Sequence, residues 1–122
     1  MLDKIIILIQ THKESIESLG ETFKNKIYTE KEIEYCESKK NAKYQHYAGR
    51  FAAKEAIFKA VSELLSNKFE ITWKDAEILD DGNGKPRINF KFKKIEEKLE
   101  SIDISISHCK EYAVANVVLI CK

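Results

Sequence analysis

The chain has 122 residues, of which 43% are hydrophobic and 34% are charged, and these values are typical of a soluble globular protein. We expect residues 1–122 to form one domain, because this length can bury one core but not two. The 21 Lys and Arg against 20 Asp and Glu give a net charge of +1, which provides no general attraction for nucleic acid. Cys36, Cys109 and Cys121 lack CxxC spacing, so they predict neither a disulfide framework nor a zinc site and favour the reducing cytoplasm.

The first elements in the chain are a predicted strand and a predicted helix. The apolar run at residues 5–9 is too short for a signal-peptide core or a membrane span, and it predicts a buried strand. Ile16, Leu19 and Phe23 then recur at helical spacing. Gly20 lies where it could end or kink that helix.

Two further helices are predicted before the middle of the chain. Thr29 precedes Glu30 and Glu32, so we expect it to cap a short helix whose first turn is acidic. The pattern from residue 47 to about residue 65 predicts the longest helix of the chain. No helix breaker occurs at residues 61–64, which are therefore expected to continue it.

The second half of the chain predicts antiparallel strands. The expected strands lie at residues 70–73 or 76–79, 87–92, 103–107 and 112–120. Residues 80–84, Asp-Asp-Gly-Asn-Gly, tolerate positive φ and predict a hairpin turn. A short charged helix is expected at residues 94–99. Helices packed on a mostly antiparallel sheet make the predicted fold class α+β.

A run of alanines interleaved with charges lies in the longest predicted helix, at residues 49–60, Gly-Arg-Phe-Ala-Ala-Lys-Glu-Ala-Ile-Phe-Lys-Ala. Alanine favours helix and lets another backbone approach closely. Arg50 and Lys54 are four residues apart and share a face, as do Glu55 and Lys59. Taken alone, two residues spaced like Glu55 and Lys59 more often form an exposed ion pair worth about 0.3–0.5 kcal/mol.

Four segments carry a family resemblance when they are taken together and in order. They are residues 23–36, the helix motif at 50–56, the hairpin Asn-Gly-Lys-Pro at 83–86, and the segment Ser-Ile-Ser-His-Cys-Lys-Glu-Tyr-Ala at 105–113. These segments resemble the holo-acyl-carrier-protein synthases, a branch of the 4′-phosphopantetheinyl transferases. The resemblance covers roughly residues 20–120. It implies that family's α+β fold and Mg²⁺-dependent transfer of phosphopantetheine from coenzyme A to a serine of apo acyl carrier protein, a step of fatty acid biosynthesis.

The resemblance also implies roles for individual residues. Glu55 would bind the metal and act in catalysis with Lys59. Coenzyme A would be contacted by Arg50, Lys54, Lys59, Ser107, His108 and Lys110. In the family, the turn with the last three approaches the 3′-phosphate and adenosine from a neighbouring subunit, which implies a homotrimer. Seen alone, a serine and a histidine at a tight turn more often satisfy backbone groups.

The second metal ligand of the family, an aspartate at the end of the first strand, is replaced in this chain. Its position falls on Ile5 or Gln10, or on Asp3 if two residues are inserted. With Glu55 as its one protein ligand, Mg²⁺ would bind weakly, because it gives up its hydration shell reluctantly. Two hypotheses follow: a divergent synthase, and a non-catalytic relative that binds a carrier protein or coenzyme A without transfer.

Two histidines remain outside these motifs. His12 and His46 have no partners at ligand spacing, so both are predicted to lie on the surface. Trp73 is expected to be part of the core.

Overall fold

A computed structural model describes residues 2–67 and 70–122, including all side chains of these residues except those of residues 2–6 and 8. In chain order the elements are β1 (Leu2–Leu8), α1 (Ile9–Ile27), α2 (Glu30–Glu37), α3 (Lys43–Val61), β2 (Ala76–Asp80), β3 (Pro86–Phe90), α4 (Lys93–Glu96), β4 (Leu99–His108) and β5 (Tyr112–Cys121). Short 3₁₀ segments occur at Lys40–Ala42, Ser62–Leu64 and Trp73–Asp75. The predicted α+β class is confirmed.

The strands form two antiparallel units. One is a three-stranded sheet in the order β1-β5-β4, and the other is the β2–β3 hairpin. Alternate residues of β5 are buried, as the period of a half-buried strand requires; they are Ala113, Ala115, Val117 and Leu119. The opposite face of β5 carries Tyr112, Val118 and Ile120, which are exposed.

Helix α3 packs closely on the buried face of this sheet. Its small residues Ala52, Ala53, Ala56 and Ala60 all lie in the core. Gly49 makes the tightest approach, because a Cβ atom at this position would lie 2.9 Å from Cγ2 of Ile106 in β4. The alanine and glycine content of α3 therefore sets its distance from the sheet.

Helices α1 and α2 confirm two local predictions. Helix α1 is kinked at Gly20, which has a φ of 68°. At the start of α2, the N–H of Glu32 donates to Thr29 Oγ1 (3.3 Å) and the N–H of Thr29 donates to Glu32 Oε1 (2.8 Å). Thr29 is therefore the predicted cap, in a reciprocal capping box. In the described parts of the chain, no helix combines the length and apolar character needed to span a membrane.

Several predicted boundaries need correction. A strand at residues 70–73 is wrong, because Thr72 and Asp75 form a capping box that starts a 3₁₀ turn; the strand is β2. The expected continuation of α3 through residues 61–64 is also wrong, since α3 ends at Val61 and a 3₁₀ segment follows. The hairpin turn is confirmed, with positive φ at Gly82 and Gly84. The other strands and α4 lie where predicted, with ends shifted by up to four residues.

We predict that Gly49→Ala destabilises the protein by about 1 kcal/mol. The added methyl group would clash with Ile106, and overpacking of this kind costs about 1–3 kcal/mol, which exceeds the gain in helix propensity of about 1 kcal/mol. The measurement is the free energy of unfolding in urea. In an Ile106→Ala background the same change should be neutral or stabilising, because Cγ2 is then absent. An equal loss in both backgrounds would contradict the packing argument.

Candidate functional site

A polar cavity of about 90 Å³ lies between α3, α2, the β2–β3 hairpin and the end of β4. It is lined by Tyr35, His46, Gly49, Arg50, Asp80, Gly84, Pro86, Ile106 and His108. The cavity thus brings together the predicted ligand residues Arg50 and His108, which are far apart in the sequence. The hairpin of the family resemblance supplies another wall.

Arg50 is the buried cation of this cavity. Its guanidinium carbon lies 3.9 Å from the centre of the Tyr35 ring. Its Nε is buried and has no hydrogen-bond partner among the described residues. A buried donor without an acceptor costs about 1–3 kcal/mol, so a ligand that supplied an acceptor would be stabilised here. Asp80 is the acidic residue of the lining, and N–H groups of Gly82 and Gly84 donate to its Oδ1 and lower its pKa.

Two imidazoles meet at the cavity wall. The His46 and His108 rings lie 4.8 Å apart between centroids in an edge-to-face arrangement. Burial lowers the pKa of His46 to about 4, with further contributions from His108, Arg50 and Lys39. Burial and then Arg50 also lower the pKa of His108. In the free protein the surroundings therefore disfavour the protonated form of both rings.

The surface prediction for His46 is wrong, since the side chain is half-buried at the cavity wall. The sequence did contain a signal for this placement. His46 precedes Arg50 by four residues, so the two share a face of α3. His108 comes from a distant strand, so no spacing in the sequence predicts that the two rings meet.

Glu55 and Lys59 lie on a different side of α3. Glu55 is half-buried and Lys59 is exposed. Five residues separate Glu55 from Arg50, which places the two side chains about 140° apart around the helix axis. Neither Glu55 nor Lys59 lines the cavity with Arg50 and His108. A single chain therefore presents Glu55 and Lys59 on one side of α3 and the cavity with Arg50 and His108 on another.

The two other predicted contacts near the C-terminus are exposed. Ser107 precedes His108 in β4, so its side chain faces the opposite side of the sheet. Lys110 lies in the turn between β4 and β5. Neither residue lines the cavity.

Lys54 has a structural role in place of the predicted contact with coenzyme A. Its Nζ lies 2.9 Å from Glu32 Oε1 and donates to the carbonyl oxygens of Trp73 (2.8 Å) and Ala76 (2.9 Å). Three acceptors use all three donors of an ammonium group. Both side chains of the ion pair are 0% exposed, so Lys54 cannot contact a ligand in this arrangement. Burial lowers the pKa of Lys54, and the charge of Glu32 opposes this shift.

The described residues do not form a preformed magnesium site. Gln10 is exposed in α1, and its Nε2 donates to Glu14 Oε1 (3.2 Å). Asp3 pairs with Val117 near the start of β1, and its side chain lies outside the described atoms. Among residues whose placement is described, no three His, Cys, Asp or Glu side chains come together at metal-binding distance. Strand β1 ends at Leu8, so neither Gln10 nor Asp3 occupies the strand end that the resemblance requires.

The surface prediction for His12 is wrong as well. His12 is buried, with Nε2 2.7 Å from the hydroxyl of Tyr28, which donates to the carbonyl of Tyr47. Its ring stacks on Phe51 at a centroid distance of 4.6 Å. These partners are remote in sequence from His12. Trp73, expected in the core, is partly buried and packs against a buried cluster that includes Tyr28 and Tyr47.

Comparison with known proteins gives the family. Residues 6–117 match the 4′-phosphopantetheinyl transferase superfamily. This chain belongs to that superfamily. The holo-[acyl-carrier-protein] synthase of Ruminiclostridium cellulolyticum is 43% identical over 123 residues, which cover 98% of this chain and 90% of that protein. The synthase of Fusobacterium nucleatum is 42% identical over 125 residues, covering 94% and 93%.

Solved structures of this family share the fold. The Helicobacter pylori holo-[acyl-carrier-protein] synthase in complex with coenzyme A matches with a TM-score of 0.84 and 27% identity, covering 98% of this chain and 100% of that one. The Bacillus anthracis synthase in complex with CoA (3′,5′-ADP) matches with a TM-score of 0.78 and 33% identity, covering 97% and 93%. The family resemblance of the sequence motifs is confirmed.

We predict that Lys54→Met destabilises the protein by about 3–5 kcal/mol, because it leaves the buried carboxylate of Glu32 without a counter-charge. The measurement is denaturant unfolding of the purified variant. Lys59→Met is the matched control in the same helix; its side chain is exposed, so the expected change is within about 0.5 kcal/mol. Equal stability losses in the two variants would contradict a structural role for Lys54.

Proposed function

We propose that this chain transfers 4′-phosphopantetheine from coenzyme A to a serine of an apo acyl carrier protein. The observation that carries the proposal is the cavity in which the buried Arg50, with its unpartnered Nε, faces His108. These groups suit an anionic ligand, in a chain that belongs to the phosphopantetheinyl transferases. The relatives reported above are named as synthases, and no observation on the described residues favours the non-catalytic alternative.

The reaction exchanges one phosphorus–oxygen bond for another. The serine oxygen of the carrier attacks the β-phosphorus of coenzyme A, and the bond from this phosphorus to the bridging oxygen of the diphosphate breaks. The products are the phosphopantetheinyl serine and 3′,5′-ADP, which leaves with the bonding electron pair. We assign to Glu55 the acceptance of the serine proton and to Lys59, one turn further along α3, the stabilisation of charge on the diphosphate.

The family resemblance implies Mg²⁺. The described residues, however, do not fit a site that would bind this ion in the absence of substrate. Glu55 is the carboxylate that the resemblance assigns to the metal. A single carboxylate leaves Mg²⁺ most of its hydration shell.

The assembly that we propose is a homotrimer with the active site between neighbouring subunits. Arg50 and Glu55 lie on different sides of α3, so one copy presents only part of the site to a given ligand. The outer face of β5 supplies a contact surface: Tyr112, Val118 and Ile120 are 44%, 44% and 50% exposed on the middle strand of the sheet. An apolar row of this kind marks an interaction surface, and a second copy of the chain is its expected occupant.

The proposed partners are therefore coenzyme A, an acyl carrier protein and two further copies of the chain. We place the protein in the cytoplasm, where both substrates would be available and thiols stay reduced. The cysteines agree with this placement, because Cys36, Cys109 and Cys121 are all free.

We predict that the protein, incubated with coenzyme A, Mg²⁺ and apo carrier protein, adds the phosphopantetheine mass to the carrier in mass spectrometry. Glu55→Gln should slow the transfer by a factor of about 10²–10⁴, the contribution of a positioned base, while coenzyme A still binds through Arg50 and His108. Glu63→Gln is the matched control, since Glu63 is exposed just beyond α3 and should leave the rate unchanged.

Two results would contradict the proposed function. The first is no mass gain with several carrier proteins together with no binding of coenzyme A in calorimetry. The second is full transfer activity in Glu55→Gln, which would remove Glu55 from the reaction and leave the transferase activity without its assigned base.

A further inference from the structure

His46 occupies a position in the cavity that the family motifs do not assign. It lies on the same side of α3 as Arg50, and its ring makes edge-to-face contacts with His108 at 4.8 Å and with Tyr35 at 5.5 Å. Arg50 contributes a buried Nε that lacks a partner in the described part of the chain. One guanidinium and two imidazoles therefore converge on one small cavity, where each could donate to a bound anion.

The groups that face His46 come from every wall of the cavity. They are Tyr35 and Lys39 from α2 and the turn after it, Arg50 from α3 itself, Asp80 at the end of β2, and His108 at the end of β4. The positive charges of Arg50 and Lys39 disfavour a further charge on His46, and that of Arg50 does the same for His108. Asp80 is the one acidic residue of this set. Its Oδ1 already accepts hydrogen bonds from the backbone N–H groups of Gly82 and Gly84 in the hairpin.

A phosphate monoester in the cavity would favour the protonated form of the imidazoles. It carries a charge of about −1.5 to −2 at neutral pH, which would offset the repulsion from Arg50 and Lys39. A protonated imidazole pair has one donor more than a neutral pair to offer the phosphate oxygens, and a bond to a charged donor is stronger. Entry of the anion therefore favours protonation of the rings that it touches.

We propose that His46 is a further contact residue for a phosphate group of coenzyme A, and that the His46–His108 pair takes up a proton when the coenzyme binds. The inference rests on the proposed function, because it takes coenzyme A as the ligand and its 3′-phosphate as the group in this cavity. Uptake means that the proton is bound more tightly in the complex than in the free protein. Affinity for coenzyme A then rises as the pH falls, by at most about tenfold per pH unit for one proton.

The pH window follows from the groups involved. In the free protein the pKa of His46 is lowered to about 4, so His46 carries little charge near neutral pH. The phosphate itself gains a proton near pH 6. Binding should therefore be measured above about pH 6.5, where this second protonation does not contribute. Between about pH 6.5 and pH 8.5 the dissociation constant should therefore increase with pH, until the imidazoles of the complex are also neutral.

The test is calorimetry of coenzyme A binding to the full-length protein in two buffers with different ionisation enthalpies. The difference in observed heat gives the number of protons taken up, which we expect to be close to one at about pH 7. His46→Phe keeps an aromatic ring against Tyr35 but cannot take a proton, so the uptake should fall below the wild-type value, to the share that His108 contributes. Dephospho-coenzyme A, which lacks the 3′-phosphate, should bind the wild-type protein more weakly and without uptake.

A second measurement does not depend on a variant. The chain has three histidines, so their ring signals can be followed individually by NMR on addition of coenzyme A. The signals of His46 and His108 should move towards the protonated position, whereas His12 should stay fixed because its ring is bonded to Tyr28 in the core.

The outcomes separate this inference from the proposed function. Tight binding of coenzyme A without proton uptake, or equal uptake in His46→Phe, would overturn the role of His46 and leave the transferase function standing. Equal uptake with coenzyme A and dephospho-coenzyme A would overturn it too, because another group would then be responsible. Failure of coenzyme A to bind at all would overturn both proposals.

Discussion

The close packing of α3 against the sheet is the constraint on which the rest of the structure depends. Gly49 leaves no room for a side chain against Ile106, and the alanines that follow continue the contact along β5. Because α3 is also in contact with α1, α2 and β2, the residues around its circumference face very different surroundings. Arg50 lines a polar cavity, Lys54 is buried in an ion pair with Glu32, and Glu55 is half-buried on another side of the helix. One short motif therefore places a cavity-lining cation, a buried structural cation and a half-buried carboxylate in three different surroundings.

The buried pair of Glu32 and Lys54 connects this helix to the walls of the cavity. Lys54 also binds the carbonyl of Ala76 at the start of β2, and Glu32 accepts a hydrogen bond from the N–H of Ile78. Removing two charges from water is costly, and the cost is offset only when all their hydrogen bonds are made. Here the bonds tie α2, which carries Tyr35, and β2, which ends at Asp80, to α3. The ion pair thus fixes the cavity walls without contacting a ligand.

Local chemistry accounts for what the sequence predicts correctly. The cap at Thr29 and the turn with Gly82 and Gly84 depend on residues within a few positions of one another. The α+β class follows from helical spacing in the first half of the chain and from the alternation of apolar and polar residues in the second half. The misassigned side chains depend on contacts between distant segments. Helical spacing places Lys54 beside Arg50, but the proximity of Glu32 decides that Lys54 is buried. Helical spacing likewise places His46 on the Arg50 side of α3, but its contact with a second imidazole from β4 is one that no periodicity reveals.

The central claim is that Glu55 of one subunit acts with Arg50 and His108 of another. Mixing of inactive variants tests it most directly: Glu55→Gln and Arg50→Ala proteins are unfolded together, refolded together and assayed for transfer to the carrier. If the site is shared between subunits, about a quarter of the sites in a random one-to-one mixture contain both native residues, and activity should reappear to about that extent. If both residues act within one chain, no site in the mixture is complete. A mixture as inactive as its parent variants, despite confirmed mixed trimers, would contradict the account.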